Sequence, residues 1–326
     1  MLKSPFFIYL TSFASKSNLM KPSLLLSIFL LLIVGCDTSS SSSEDTMHSK
    51  KRLANFDWQG HRGARGLLPE NTIPAFLKAL EYEQVTTLEL DVVISKDNQV
   101  VVSHEPWMSS AICLMPTGEA VEKAQEDSLV LYQMDYATIK TYNCGSRGNK
   151  RFPDQKPIAT YKPLLQDVIQ AVENHCKSNR LDLPNYNIEI KSRPEWDGKK
   201  TPEPATFAQL VIDVVNKTGI QDRVCIQSFD PRAMEAVHQF ASDITTAFLV
   251  ENTQSLSQNL EKLSFQPDIY SPFHMMVSAR LVEEAHDKGI KVIPWTVNDV
   301  DRMKALIELG VDGIITDYPN RIPTLQ

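Results

Sequence analysis

Three short segments of this chain carry side chains suited to one kind of chemistry. Gly60-His61-Arg62-Gly63-Ala64-Arg65-Gly66 runs on into Pro69-Glu70-Asn71-Thr72. Leu88-Glu89-Leu90-Asp91-Val92 is followed by Val102-Ser103-His104, and Asn187-Ile188-Glu189-Ile190-Lys191 comes later. Glu89 and Asp91 are two apart in an apolar run, so on a strand both carboxylates leave the same face. Glu189 and Lys191 repeat that spacing. Three converging carboxylates repel one another unless a cation lies between them. An all-oxygen set suits one hard divalent ion, Ca²⁺ or Mg²⁺. His61 and His104, placed on either side of a phosphoryl group, can act as general acid and general base near neutral pH. Arg62 can grip non-bridging phosphate oxygens through its fork, and Lys191 as a point charge. Together with the cation they offset charge that develops on those oxygens. This is an inventory for holding a divalent cation against a phosphodiester and moving protons around it.

Other polar residues carry less. Arg65 suits either a phosphate contact or a solvated loop. Glu70 suits either the site or the start of the helix that follows. His175, His238, His274 and His286 stand without a carboxylate pair and read as structural or surface residues.

The elements that must position these groups alternate. Strands are expected at 58–61, 87–94, 186–190, 223–228, 245–250, 268–271, 291–296 and 313–316, with a hairpin arm at 100–102. Helices are expected from Asn71 or Thr72 to Tyr82, then at 164–174, 206–217, 231–240, 256–263, 279–288 and 300–309. Gly219, Gly289 and Gly310 follow helices as C-terminal caps do. Eight alternating units imply an α/β fold, a single closed (β/α)8 TIM barrel. An irregular insertion over about 105–160 follows the second strand, with a helix-like piece near 136–142. The polar residues fall at the carboxyl ends of the strands, where barrel enzymes keep their sites. A doubly wound sheet is the structural alternative, but the chain has no GxGxxG phosphate loop.

The 326 residues include 42% hydrophobic and 22% charged ones, an ordinary globular balance. A net charge of −7 argues against a nucleic-acid partner. The first 35 residues read as a lipoprotein signal peptide, with Met20 as a possible true start. The apolar run from Leu24 to Val34 is short for a membrane span and ends in Ile33-Val34-Gly35-Cys36, which resembles a bacterial lipobox. Cys36 is then the lipidated mature N-terminus; an uncleaved anchor is the alternative. Residues 36–55, with serines from Ser39 to Ser43, form a flexible tether, and 56–326 form the folded domain. The expected location is an exported, lipid-anchored protein with its domain in the periplasm. Asp37 leaves the choice of membrane open. Export permits disulfides, and Cys113 with Cys144 in the insertion is one pairing that the sequence leaves undecided. Cys225 reads as a buried strand residue, and no Cys/His spacing suggests zinc.

Taken in order, His61-Arg62-Gly63, Pro69-Glu70-Asn71-Thr72, Glu89-Leu90-Asp91-Val92, His104, Glu189-Ile190-Lys191, Gln227-Ser228-Phe229, Trp295-Thr296-Val297-Asn298 and Gly313-Ile314-Ile315-Thr316-Asp317 resemble the glycerophosphodiester phosphodiesterase family. The resemblance runs from about Phe56 to Pro319. It implies a barrel with an early insertion and metal ligands at Glu89, Asp91 and Glu189. It also implies acid–base histidines at His61 and His104, phosphate contacts from Arg62 and Lys191, and Trp295 near the substrate glycerol or packing the barrel mouth. The implied reaction is metal-dependent hydrolysis of a small glycerophosphodiester to sn-glycerol 3-phosphate and an alcohol. One departure is Glu105, where the family usually has Asp after the second histidine; it puts the hairpin's local contacts in question. A lysophospholipase D-like enzyme on the same barrel needs an apolar rim, for which Trp107, Met108, Phe273, Met275 and Met276 are the candidates. A non-catalytic glycerophosphate-binding lipoprotein should lack a second histidine or a metal carboxylate, and this chain has both.

Overall fold

The structure, a computed structural model, describes residues 55–325. The expected signal peptide, Cys36 and nearly all of the tether lie outside the described residues. Nine strands are present among the described residues: β1 Asp57–Gly60, β2 Thr87–Ile94, β3 Val100–Val102, β4 Asn185–Ile190, β5 Val224–Ser228, β6 Thr245–Val250, β7 Ile269–Pro272, β8 Lys291–Val292 and β9 Gly313–Thr316. Eight of them run parallel in the order β8-β7-β6-β5-β4-β2-β1-β9, and β3 returns antiparallel on β2.

The circle closes between β8 and β9, where the sequence misleads. A strand over 291–296 is expected, but regular pairing stops after Val292. Pro294 has no N–H to give to its neighbour. Closure instead uses three bonds: Asp312 N to Val292 O at 2.9 Å, Ile315 N to Pro294 O at 3.0 Å, and Val297 N to Ile315 O at 2.9 Å. The register slips by one residue between the first two, so this seam of the barrel is irregular.

Helices cover the outside: α1 Ile73–Ala79, α2 Tyr136–Ile139, α3 Leu165–Asn179, α4 Pro204–Thr218, α5 Pro231–Phe240, α6 Leu256–Leu260, α7 Ala279–His286 and α8 Val300–Leu309. Their starts follow the chemistry of caps. Asp230, Ser278 and Asp299 each accept a backbone N–H of the first turn. Thr72 caps α1 and Pro74 stands in its first turn. Arg180, in the left-handed region at φ 56°, lets α3 run five residues beyond the expected Asn174.

Alternation in the central strands sorts their side chains. Leu88, Leu90 and Val92 join the apolar layer shared with Phe76, Val168, Ile188 and Phe207. The opposite faces of β1, β2, β4 and β5 turn inward and are polar. There Asn187 Nδ2 donates to Gln59 Oε1 at 2.8 Å and to Gln227 Oε1 at 3.1 Å, and Gln227 Nε2 donates to Glu89 Oε1 at 2.9 Å. The other half of the interior is apolar, built from Ala247, Ile269, Ile293 and Ile315. Cys225 packs there half-buried rather than buried, because it sits at the amino end of β5 near the floor of the barrel.

The insertion after β3 is ordered by its own small core. Met108, Cys113, Leu131, Ile139 and Tyr142 bury together against Val93 and Val101. A disulfide joins Cys113 to Cys144. The helical piece is one turn, α2, shorter than the expected 136–142.

Candidate active site

Every residue singled out for chemistry in the described chain reaches the carboxyl ends of the strands. The register explains it: Asp91 on β2 stands level with Glu189 on β4, and Glu189 is level with Gln227 on β5. Glu89, Asp91 and Glu189 each bring an oxygen within 4.8 Å of the others. All three are buried, Asp91 completely. Their neighbours hold them in place. Glu89 accepts the backbone N–H of Arg62 at 2.9 Å as well as the Gln227 amide. Asp91 accepts Asn71 Nδ2 at 2.8 Å, and its own N–H returns to Asn71 Oδ1 at 3.2 Å. Glu189 accepts Lys191 Nζ at 2.8 Å.

The turn after β1 is bent to make these contacts. Arg62 and Asn71 both have positive φ, 51° and 57°. Such conformations are uncommon outside glycine and persist where the surroundings require them. Here they aim the Arg62 N–H at Glu89 and the Asn71 amide at Asp91. Gly63, at φ 83°, is obligatory, since a Cβ there would lie 2.5 Å from the carbonyl carbon of Ala75.

The cluster fits a metal ion on the chemistry of its donors. One buried atom, Asp91 Oδ1, has no hydrogen-bond partner. Burial of an unsatisfied carboxylate oxygen is costly, and a cation among three carboxylates would satisfy it. Without one, the charges cannot all persist. Burial and the adjacent Asp91 and Glu189 raise Glu89 well above the usual carboxylate range. Burial, with Asp91 beside it, raises Glu189 to about 7 despite Lys191. Asp91 is the exception: burial opposes its charge, but Arg62, His104 and Lys191 hold it well below the usual range.

His61 lies just past β1. Its Nδ1 is 2.7 Å from Asp317 Oδ1, and its Nε2 faces Glu89 Oε2 at 3.8 Å. Burial and the Arg65 charge lower its pKa to about 4, against the pull of Asp317. Asp317 is itself held by Arg65, at 2.6 and 3.0 Å, and by Asn298 Nδ2 at 2.7 Å. Burial raises Asp317, yet His61 and Arg65 keep it far below the usual range. Arg65 is therefore no solvated loop residue; it anchors the carboxylate that holds His61. Glu70 also belongs to the site. Its Oε1 accepts Arg62 Nη1 at 2.7 Å; burial raises its pKa, but Arg62 and then Arg65 bring it down to about 2.

His104 stands across the cavity and is more open. Its Nδ1 is 2.8 Å from Glu105 Oε1, so the longer acid at this position reaches its own neighbour. Burial, Arg62 and Lys191 lower the His104 pKa. A cavity of about 260 Å³ is lined by both histidines, Glu89, Glu189, Arg62, Lys191 and, on its apolar side, Trp295. The Trp295 ring stands edge-on to Phe229 at 5.3 Å, with its Nε1 bonded to Ser271 O at 2.9 Å. None of the candidate rim residues lines this cavity. Met108 is fully buried, Trp107 packs on Trp196, and Phe273 packs on Trp295.

Three residues of this arrangement escape a reading of the sequence. Asn71 looks like a helix-cap residue, and Asn298 and Asp317 sit in motifs without an evident role. A carboxylate directly after the last strand was the available signal for Asp317.

Comparison with known proteins agrees with the geometry. The glycerophosphoryl diester phosphodiesterase family matches residues 61–321. A glycerophosphodiester phosphodiesterase of Bacillus subtilis is 26% identical over 86% of this chain and 89% of its own. One from Caldanaerobacter subterraneus is 27% identical over 81% and 95%. A crystal structure from Silicibacter pomeroyi, provisionally named a glycerophosphoryl diester phosphodiesterase, superimposes with a TM-score of 0.74 at 29% identity, covering 83% of this chain and 92% of that one.

Proposed function

This chain belongs to the glycerophosphoryl diester phosphodiesterase family and hydrolyses glycerophosphodiesters; from that premise we propose that His61 and His104 are its acid–base pair, that Glu89, Asp91 and Glu189 hold one Ca²⁺ or Mg²⁺, and that Arg62 and Lys191 bind the phosphate. The observation that carries the reading is the single cavity shared by both histidines, two of the carboxylates, both cations and Trp295. Bound among the three carboxylates, the cation supplies a positive charge that draws in the phosphate and favours ionisation of a nearby hydroxyl or water.

The chain's own residues do the rest. Asp317 engages His61 Nδ1 and Glu105 engages His104 Nδ1, so the Nε2 atom of each ring is the one left for substrate protons. Both pKa values are lowered, which favours the neutral ring that a general base needs, while the negatively charged phosphate favours the protonated form in the ring that donates. In the net reaction the P–O bond to the head-group alcohol breaks, one water is consumed, and sn-glycerol 3-phosphate and the alcohol result. The glycerol carbons pack against Trp295 and Phe229.

The export and anchoring of this domain belong to the same proposal. The lipobox-like sequence ending at Cys36 supports a lipid anchor on a bacterial membrane, with the domain in the periplasm. The Cys113–Cys144 disulfide supports an oxidising compartment. Incorporation of labelled palmitate that a Cys36→Ser variant loses is the expected result.

The activity test incubates the protein with glycerophosphocholine or glycerophosphoethanolamine and follows glycerol 3-phosphate with Ca²⁺, Mg²⁺ or EDTA. Release that EDTA abolishes and one ion restores supports the assignment and names the ion. Release that persists in EDTA removes the metal from it.

A further inference from the structure

Two cavities share a wall made of Arg62, His104, Glu105 and Arg151. One is the reaction cavity. The other, of about 240 Å³, is lined by Ile112, Cys144 and Asn149 of the insertion and by Tyr161 and Lys162 just after it. Nothing in the acid–base, metal or phosphate assignments uses it.

Lys162 is its unexplained feature. The residue is only 6% exposed. Its Nζ donates to Ser103 Oγ at 2.8 Å, and no carboxylate pairs with it among the described residues. Glu70, Glu105 and Asp91 act on it only from beyond contact distance, and a buried ammonium with no carboxylate in contact is unfavourable and is kept where a partner completes it. Burial lowers its pKa to about 8, so it still carries charge at neutral pH. Arg151 stands at the rim, exposed and likewise without a carboxylate among the described residues. Of the carboxylates that line this cavity, Glu70 is neutralised by Arg62 and Arg65. Glu105 uses one oxygen, Oε1, on His104.

The substrate has two arms on one phosphorus. The apolar side of the reaction cavity, at Trp295, suits the glycerol arm. His104 lies on the shared wall, so an alcohol that leaves past its ring enters the second cavity. We propose that this second cavity is the head-group subsite, and that Lys162 and Arg151 there select glycerophosphodiesters whose head group carries a negative charge of its own. The inference rests on the assignment of His104 to the reacting phosphate. A carboxylate-bearing amino head group suits the wall best, since its anion meets Lys162 and Arg151 while its ammonium meets the second oxygen of Glu105. A bare quaternary ammonium can meet the second oxygen of Glu105 but brings no anion to set against Lys162 and Arg151, and their like charge opposes its binding.

The test compares kcat/KM for glycerophosphoserine and glycerophosphocholine in the metal-loaded full chain. The wild type should favour the serine diester by roughly tenfold or more, the equivalent of one charged contact. Lys162→Met should abolish most of that preference, chiefly through KM for the serine diester. Arg151→Gln, at an exposed position that tolerates substitution, should reduce it in the same direction. Equal rates on both diesters in the wild type overturn the proposal. So does a Lys162→Met variant that slows both substrates alike, which marks Lys162 as a mere support for Ser103 and the His104 loop. Failure to hydrolyse either diester with metal bound overturns the catalytic reading itself, a result distinct from lost selectivity.

Discussion

Replacing Glu189 by Gln should make the metal-free protein more stable while nearly abolishing its response to metal. Within the cluster the three carboxylates lie at most 4.8 Å apart. At an effective dielectric of about 20, that separation gives ~3.5 kcal/mol for each like-charged pair, or ~7 kcal/mol on Glu189 from its two neighbours when all are ionised. Lys191 at 2.8 Å returns ~6 kcal/mol on the same scale. These charges nearly cancel while all three carboxylates are ionised and favour the charged Glu189 once Glu89 is protonated, so burial is what leaves that charge unfavourable. Glutamine removes that charge with little change of shape. At pH 8 the metal-free variant should therefore melt about 2 °C or more above wild type. The pH dependence fixes the sign. Glu189 has its pKa raised to about 7 in the fold, against about 4.3 in an unfolded chain. Its contribution to stability is complete below the unfolded value and is lost as pH rises through about 7. The advantage of the variant should thus be full at pH 8 and roughly halved at pH 5.5. Added Ca²⁺ or Mg²⁺ should raise the melting temperature of wild type, whereas the variant should bind the ion at least roughly 100-fold more weakly. Thermal melts with and without EDTA at the two pH values provide the assay. An undiminished metal-induced shift, or a metal-free variant less stable than wild type at pH 8, would refute the reasoning.

Other outcomes follow from the same geometry. His61→Ala and His104→Ala should each lower kcat by roughly 10²–10⁴-fold while keeping the metal-induced rise in melting temperature; a variant with near wild-type turnover removes that histidine from the acid–base pair. Asp317→Asn should lower kcat by roughly 10²-fold or more with KM little changed, because His61 loses the carboxylate that sets its tautomer, and the acid limb of the pH–rate profile should move. An Asp317→Asn profile superimposable on wild type contradicts the positioning role. Replacing Cys113 and Cys144 together by Ala should cost roughly 3–4 kcal/mol from the loop of 31 residues that the disulfide closes, read as a lower denaturation midpoint; an unchanged midpoint means that the insertion's apolar core suffices.

The sequence alone determined what is local. Glu89 and Asp91 had to share a face because side chains two apart on a strand do. The alternation of strand and helix required a barrel or an open parallel sheet, and the order of the motifs chose the barrel. Which distant groups meet was decided only by tertiary structure. His61 and Asp317 lie 256 residues apart and touch because β9 closes beside β1. Nothing in the spacing of Arg65 distinguishes it from a surface arginine until that closure delivers Asp317. Asn71 looked like a cap residue since its other role depends on a turn at positive φ that brings it under Asp91. The irregular seam after Pro294 and the cavity around Lys162 are likewise products of packing. Periodicity reports the direction of a side chain within its own element, and carries no record of which element the closed barrel sets opposite it.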